Sequence, residues 1–256
     1  MAVTPVQLNP NGEYIELIPI ACLHIGAAQF EENRALRFRS HALESPDRYV
    51  WDLGDTVENA TRYSIGAGVY EQVLSPSKQL DYADEFYRPL RDRGKLLGIH
   101  NSNHGFRSEK EVDFHPIEML CRELQVPFLG WQNVFSVKVG ENHKRRYNIF
   151  SHHGKYNGRS IGGALNALVG MRMLVHCCDV YVQGHIHRRI CHEEQIRLPG
   201  KTNTMLMRQH FIAAGGFISY DESYAEMCGL LPPLSGSATI RLYERESRVE
   251  VIPLDL

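Results

Sequence analysis

Four short groups of metal-ligating residue types recur along the chain, and each group closes a hydrophobic run. They are Cys22-Leu23-His24, Gly54-Asp55, Asn103-His104 and Gly184-His185-Ile186-His187. Imidazole, carboxylate and amide oxygen form a mixed ligand set that suits borderline and hard divalent metals. These ligands are too many for one four-coordinate site, so the pattern predicts two adjacent metal ions.

Hydrophobic runs predict the elements that position these groups. In the first half of the chain they indicate strands that alternate with helices, which implies parallel strands with ligands at their carboxyl ends. The predicted strands are Tyr14–Ala21, Arg48–Leu53 and Lys95–His100. The predicted helices are Phe30–Glu44, Val69–Leu90 with a possible division at Pro76, and a helix opened by a capping box at Ser108 and Glu111 and ending near Leu124.

The second half repeats this arrangement and then becomes β-rich. Predicted strands Val134–Val139 and Tyr147–Ser151 lead to His152-His153-Gly154, a further candidate ligand group. A predicted helix, Ile161–Leu174, precedes a short strand, Val180–Gln183, that runs into His185 and His187. From Arg188 onward we expect antiparallel strands, with Met205–Ala213, Thr239–Tyr243 and Arg248–Ile252 completing a second sheet.

Length and composition limit the class of protein. The 256 residues, 43% hydrophobic and 23% charged, fit a single α/β domain spanning residues 1–256. A net charge of −2 argues against a protein that coats nucleic acid through bulk electrostatics. The polar N-terminus argues against a secretory signal, and the longest apolar stretch, Ile161–Cys178, is too polar for a membrane span. Six cysteines without a C-x-x-C pair suggest reduced thiols, so we expect a cytoplasmic protein without a membrane partner.

The order of the ligand groups resembles that of the calcineurin-like metallophosphoesterase superfamily, over about residues 15–190. The resemblance implies a four-layer αββα sandwich, in which two mixed β-sheets are flanked by helices. It also implies a binuclear centre that hydrolyses phosphate esters. The metals expected are Mn²⁺ or Zn²⁺, with iron, nickel or cobalt as further candidates.

The resemblance assigns roles to individual residues. Asp55 would bridge the two ions, with His24 and His187 at the first ion, and Asn103 and His185 at the second. One of His152 and His153 would complete the second site, and His152 is favoured because it comes first after the strand. His104 would act as general acid or charge stabiliser.

This chain departs from the family pattern at two positions. The first family motif is normally Asp-x-His, and Cys22 stands where the aspartate would be. Cys22 either ligates as a thiolate, which would favour zinc, or is a core thiol that leaves the first site weak. Gly105 follows His104 where the family usually has an acidic residue, so His104 needs another partner. Glu58 matches a commonly acidic position and is expected behind the metal ligands.

These features predict a phosphoesterase that acts through water activated at the metal centre, on phosphodiesters of nucleic acid or nucleotides. The alternatives are a phosphomonoesterase, or a catalytically weakened protein that keeps the fold as an interaction module. A zinc peptidase is disfavoured because no His-Glu-x-x-His helix is present. Basic and polar residues that follow the metal motifs could grip the substrate: Arg107, Lys155, Tyr156, Asn157 and Arg159.

Overall fold

Eleven strands and six α-helices make up the computed structural model, which describes residues 2–64, 68–141, 145–155, 160–232 and 234–255. The strands are β1 (Ala2–Leu8), β2 (Tyr14–Ile20), β3 (Arg48–Asp52), β4 (Leu96–Ile99), β5 (Gln132–Val139), β6 (Arg145–His152), β7 (Val180–Gln183), β8 (Ile190–Pro199), β9 (Thr204–Ala213), β10 (Ser237–Tyr243) and β11 (Val249–Leu254). The helices are α1 (Glu32–Glu44), α2 (Pro76–Asp92), α3 (Asn103–Val112), α4 (Pro116–Leu124), α5 (Ile161–Gly170) and α6 (Tyr224–Met227). Short 3₁₀ turns lie at Val69–Glu71 and Met171–Met173.

The strands form two mixed sheets. One has six strands in the order β1-β5-β6-β7-β9-β8, and the other has five in the order β11-β10-β2-β3-β4. Within them, β2, β3 and β4 are parallel neighbours, as are β6, β7 and β9. Strand β2 is buried along almost its whole length, as expected for a strand covered on both faces.

Three hydrophobic clusters define four layers. The first lies between the sheets and joins Leu17 and Trp51 of one sheet to Ile149 and Val182 of the other. The second covers the outer face of the five-stranded sheet with α1, α2 and α4. In the third, Leu168 of α5 packs on the outer face of the six-stranded sheet. The αββα fold class predicted from the sequence is therefore confirmed.

The single helix predicted from Ser108 to Leu124 is wrong, because the segment forms α3 and α4. Helix α3 begins earlier, with Ser102 as its N-cap, whose side chain accepts a hydrogen bond from Gly105. It ends at Asp113, which has a left-handed φ of 53°, and Pro116 then opens α4.

Three further differences concern the start of α2, the edge strands and the sheets to which the last strands belong. The helix expected from Val69 begins instead at Pro76, where proline at the first helical position is favourable. Strand β1 was not predicted, and β8 was covered only by the antiparallel structure expected from Arg188 onward; both lie at edges of the six-stranded sheet. The strands after residue 188 were expected to complete one sheet, but β8 and β9 join the six-stranded sheet whereas β10 and β11 join the other.

Among the helices of the described segments, none combines the length and the apolar character needed to cross a bilayer.

Candidate metal centre

The predicted ligand groups lie at the carboxyl ends of parallel strands from both sheets. Strands β2, β3 and β4 end just before Cys22, Asp55 and Asn103, and β6 and β7 end just before His153 and His185. Backbone hydrogen bonds join these loops: Cys22 donates to Gly54, His24 to Asp55 and Gly184 to His153, with distances of 2.8–2.9 Å. Residues up to 163 positions apart in the chain therefore meet in one place.

Five of the predicted ligands have left-handed backbone conformations. Their φ values are 54° at Cys22, 51° at His24, 54° at Asp55, 66° at His185 and 53° at His187. Such values are uncommon outside glycine and cost free energy, so the surrounding structure must hold them. These bends replace the alternation of an extended strand, which would have sent His185 and His187 to opposite sides.

The first group of convergent side chains contains Cys22, His24, Asp55 and His187, whose ligand atoms all lie within 4.8 Å of one another. The Nε2 atoms of His24 and His187 are 3.0 Å apart, and Nε2 of His24 lies 3.7 Å from Oδ2 of Asp55. Burial, and after it the neighbouring His24, lowers the pKa of His187 to about 3. His187 is therefore neutral at pH 7, the state required of a metal ligand.

The second group contains Asp55, His153 and His185, and its ligand atoms also lie within 4.8 Å of one another. Nε2 of His153 lies 3.4 Å from Oδ2 of Asp55 and 2.8 Å from Oδ1 of Asn103. Nδ1 of His153 faces the carbonyl of Leu53 at 2.8 Å. A carbonyl only accepts, so Nδ1 carries a hydrogen, and Nε2 is the nitrogen that faces the group.

One atom, Oδ2 of Asp55, faces both groups. It lies 3.7 Å from Nε2 of His24 and 3.7 Å from Nδ1 of His185. That Nδ1 atom is buried and has no hydrogen-bond partner among the described residues, which is unfavourable unless another group satisfies it. An unsatisfied buried nitrogen beside convergent imidazole, carboxylate and thiol groups fits a divalent metal ion.

The charge on Asp55 is stabilised by its neighbours. Burial alone would raise the pKa of Asp55, but the surrounding imidazoles of His104, His153 and His185 lower it well below its usual value. Asp55 is therefore an ionised carboxylate, as a bridging ligand must be.

The preference for His152 over His153 differs from what the structure shows. His152 is the last residue of β6, and its Nδ1 accepts a hydrogen bond from the backbone of Gly154 at 2.7 Å. Successive residues of a strand face opposite sides, so only one of the two histidines can point at Asp55. That histidine is His153, which is 1% exposed.

Glu58 lies behind the first group and orients it. Its Oε2 atom is 2.9 Å from Nδ1 of His24, so His24 can donate to the carboxylate and present Nε2 to His187. Burial alone would raise the pKa of Glu58, but His24, His104 and Arg107 lower it to about 2. A carboxylate behind a histidine is the usual support of a metal-ligating imidazole.

His104 is buried beside Glu58 rather than beside an acidic residue that follows it in sequence. Its Nδ1 donates to the backbone carbonyl of Glu58 at 2.7 Å, and its ring meets the ring of His24 edge-on at 4.5 Å. Burial lowers the pKa of His104 to about 4 even though Asp55 and Glu58 oppose that shift. His104 is therefore neutral at pH 7.

Arg107, a predicted substrate residue, contacts this network. Its guanidinium donates to the carbonyl and to Oε1 of Glu58, at 2.8 and 3.1 Å, and lies 3.0–3.2 Å from the ring nitrogens of His104. Lys155 is exposed. The other three predicted substrate residues, Tyr156, Asn157 and Arg159, lie outside the described residues.

The Cys22 thiol is inside the first group and fully buried. Its Sγ accepts a hydrogen bond from the backbone of His185 at 3.1 Å. Burial raises the pKa of Cys22 well above its ordinary value, and Asp55 raises it further, so the metal-free thiol holds its proton.

Asp52 supports the loop that carries Asp55 and was not singled out from the sequence. Its carboxylate accepts hydrogen bonds from Gly54, Thr56 and Tyr87, at 2.5–2.7 Å. Burial raises the pKa of Asp52 to about 6 despite these donors. A charged residue that ends an otherwise hydrophobic strand was the signal that could have identified it.

Comparison with known proteins was made for families, curated proteins and solved structures. No family model matches the chain. No curated protein matches it either.

Three solved structures are similar to this chain at low sequence identity. A conserved uncharacterised protein from Streptococcus pneumoniae TIGR4, named a predicted phosphoesterase, is 12% identical with a TM-score of 0.41, covering 94% of this chain and 91% of its own. Vps29 with Zn²⁺ from Entamoeba histolytica is 13% identical with a TM-score of 0.41, covering 94% and 99%. A metallophosphoesterase from Sphaerobacter thermophilus is 12% identical with a TM-score of 0.43, covering 94% and 88%. At such scores the function of this chain has to be inferred from its own side chains.

Proposed function

We propose that the chain is a metal-dependent phosphoesterase with a binuclear centre, acting on phosphodiesters of nucleic acid or nucleotides. The observation that supports this most is the position of Asp55. A single carboxylate oxygen faces two groups of convergent ligands, one with His24, Cys22 and His187 and the other with His153 and His185. A carboxylate can bridge two cations, whereas an imidazole cannot.

Each group would hold its own metal ion, and the two groups differ in the metal that they favour. The first offers a thiol, two imidazoles and a carboxylate, which favours Zn²⁺. The second offers imidazole, carboxylate and the amide oxygen of Asn103, which suits Mn²⁺ as well as Zn²⁺. Bound divalent ions supply Lewis-acid polarisation of a phosphoryl group and lower the pKa of water toward neutrality.

The chain's own residues then position the reacting groups. Asp55 holds the two halves of the site in one orientation through its contacts with His24, His153 and His185. Glu58 keeps the imidazole of His24 in a fixed tautomer. The neutral His104 uses its one N–H on the carbonyl of Glu58, and the guanidinium of Arg107 lies 3.2 Å from its Nε2. Arg107 is therefore the group that would balance charge developing on a leaving oxygen.

The test is hydrolysis by the purified full-length chain supplied with Mn²⁺ or Zn²⁺. We expect turnover of bis-p-nitrophenyl phosphate, little turnover of p-nitrophenyl phosphate, and loss of activity by at least about a hundredfold in Asp55→Asn, the scale on which removal of one key electrostatic group acts. Asp81→Asn, at an exposed position of α2, is the matched control and should retain activity.

Two outcomes would change the proposal. Faster turnover of the monoester than of the diester would make the chain a phosphomonoesterase. Fewer than one metal ion per chain, without hydrolysis of either ester, would favour the interaction module, in which Cys22 and Gly105 replace acidic residues of the catalytic pattern.

A further inference from the structure

Two large aromatic side chains stand partly exposed beside the second ligand group. Phe106 is 44% exposed and Trp131 is 41% exposed. Their ring centroids are 5.7 Å apart and their planes meet at 74°, an edge-to-face arrangement. Aromatic residues that are buried contribute to the core, so a pair left in solvent at a candidate active site requires another explanation.

Each of these aromatic residues is a close neighbour, in a helix or across a strand pair, of a candidate ligand of the second group. Phe106 lies three residues after Asn103 on α3, and residues at this spacing share a helix face. Trp131 precedes β5 and His153 follows β6, and because Gln132 pairs with His152, Trp131 and His153 lie opposite each other. The backbone of His153 donates to the carbonyl of Trp131 at 3.3 Å.

The shape of the pair suits a flat ring. Two aromatic planes near a right angle form a corner, in which a third ring can stack on one face while its edge meets the other. Asn103, on the same turn of α3 as Phe106, and His153, opposite Trp131, bring their polar atoms to 2.8 Å from each other. A ligand with a planar base attached to a phosphate would match an aromatic corner that adjoins polar metal ligands.

We propose that Phe106 and Trp131 form a base-stacking subsite, which holds a nucleobase of the substrate while its phosphodiester lies at the metal centre. This inference rests on the proposed phosphoesterase function and names its substrate class as nucleoside phosphodiesters. Stacking tolerates any base, because every base offers a flat face. The subsite therefore selects nucleosides over simple alkyl esters without selecting a base sequence.

Tryptophan fluorescence tests the subsite directly, because the chain has two tryptophans and Trp51 is 0% exposed. Chelator-treated protein, which hydrolyses nothing, is titrated with the dinucleotide dApdA. We expect quenching in the parent, no quenching in Trp131→Phe, and binding weaker by about tenfold in Phe106→Leu, within the range measured for loss of a stacking contact. Met205→Ala, at an exposed apolar position of β9, should bind like the parent.

A second measurement uses the metal-loaded chain and two diesters with the same leaving group. Thymidine 5′-p-nitrophenyl phosphate carries a base, and methyl p-nitrophenyl phosphate does not. We expect the parent to prefer the thymidine ester in kcat/KM, and the ratio to fall at least about fivefold in Phe106→Leu and Trp131→Leu. The ratio should stay unchanged in Met205→Ala.

The outcomes separate this inference from the proposed function. Hydrolysis of both diesters with no preference, and no quenching by dApdA, would overturn the subsite and leave the phosphoesterase standing. Quenching without hydrolysis of any ester would support the subsite and overturn the phosphoesterase. Equal quenching by n-octyl phosphate would also overturn the subsite, since an alkyl chain cannot stack.

Discussion

The carboxylate of Glu58 lies 2.9 Å from Nδ1 of His24, on the side of the imidazole opposite His187. Through this contact the carboxylate determines which nitrogen of His24 carries its hydrogen, and so directs a lone pair into the first ligand group. Glu58 also accepts from Arg107 and lies 3.5 Å from His104. One side chain thus connects the metal ligands to His104 and Arg107.

Replacing Glu58 with glutamine should weaken metal binding at the first group. The amide keeps the shape but loses the charge that orients His24, and changes of this kind typically reduce metal affinity about 10- to 100-fold. Competition with a coloured chelator measures the effect. Glu85→Gln, an exposed position on α2, is the matched control. Unchanged affinity in Glu58→Gln would show that His24 is not oriented through this contact.

Cys22 should bind metal through its sulfur. Because burial and Asp55 raise the pKa of the thiol, metal binding must displace a proton, and affinity should rise with pH. Loaded with Co²⁺, the parent should show sulfur-to-metal charge-transfer absorption that is absent from Cys22→Ser and retained in Cys191→Ser, whose cysteine is exposed. Persistence of that absorption in Cys22→Ser would exclude sulfur ligation by Cys22. Cys22→Asp should bind Mn²⁺ at least as well as the parent does, since a hard ligand replaces a soft one.

The adjacent histidines should behave differently on substitution. His153 contacts Asp55 and Asn103, whereas His152 accepts a backbone hydrogen bond from Gly154. His153→Gln should lower the metal content measured after dialysis, and His152→Gln should leave it near the parent value. The reverse order would show that the strand presents its other face to the centre.

Gly54→Ala should destabilise the fold and displace His153. Gly54 has a φ of +103°, and a Cβ there would lie 2.8 Å from Nδ1 of His153 and 2.9 Å from the side chain of Ser102. The backbone strain alone is expected to cost about 1–3 kcal/mol. Gly94→Ala is the control, because Gly94 has a φ of +64° with open space around it. Equal urea midpoints for the two variants would show that the contact with His153 has no energetic effect.

His100 should make the fold sensitive to acid. It is fully buried, with Nδ1 facing the carbonyl of Gly130 at 2.9 Å and Nε2 facing Oγ of Ser151 at 2.8 Å. Burial lowers its pKa to about 3, below the usual 6.5, so the folded state binds fewer protons than the unfolded state. Stability is then fully present above pH 6.5 and decreases as the pH falls from there toward 3.

The loss from His100 between pH 6.5 and pH 5 should be about 2 kcal/mol. Urea unfolding of the parent and of His100→Gln gives the free energy of unfolding at pH 7 and at pH 5. The loss between the two pH values should be larger in the parent than in His100→Gln, and the difference between these losses is the contribution of His100. Asp52, with its pKa raised to about 6, acts in the opposite direction as the pH falls, but it is present in both proteins and cancels. His176→Gln, at an exposed site, is the control and should lose as much stability between pH 7 and pH 5 as the parent does. If His100→Gln also lost as much as the parent, His100 would not be the source of the acid sensitivity.

Residue type and position at strand ends were sufficient to predict most of the side chains that converge. The groups around Cys22, Asp55, Asn103 and His185 each follow a strand that hydrophobic pattern had indicated, and the parallel topology brings strand ends together. The layered fold followed from the same alternation of elements.

Other features depend on information that the sequence pattern does not contain. The choice between His152 and His153 depends on which face of β6 lies toward Asp55. A shift of one residue in the strand register would exchange the two histidines, and the sequence pattern does not fix that register. The contact of Arg107 with Glu58, 49 positions away in the chain, also has no signal in the sequence pattern. The division between α3 and α4 depends on a left-handed Asp113, a conformation that aspartate adopts only in some contexts.

The left-handed backbone at Cys22, His24, Asp55, His185 and His187 has a consequence for engineering and for evolution. Glycine would relieve the strain at any of these positions, so a search for heat-resistant variants that ignores metal binding should select it there. Each such gain in heat resistance would delete a donor atom. Evolution toward higher thermostability without selection for metal binding would therefore remove the metal ligands before it changed the sheets that carry them.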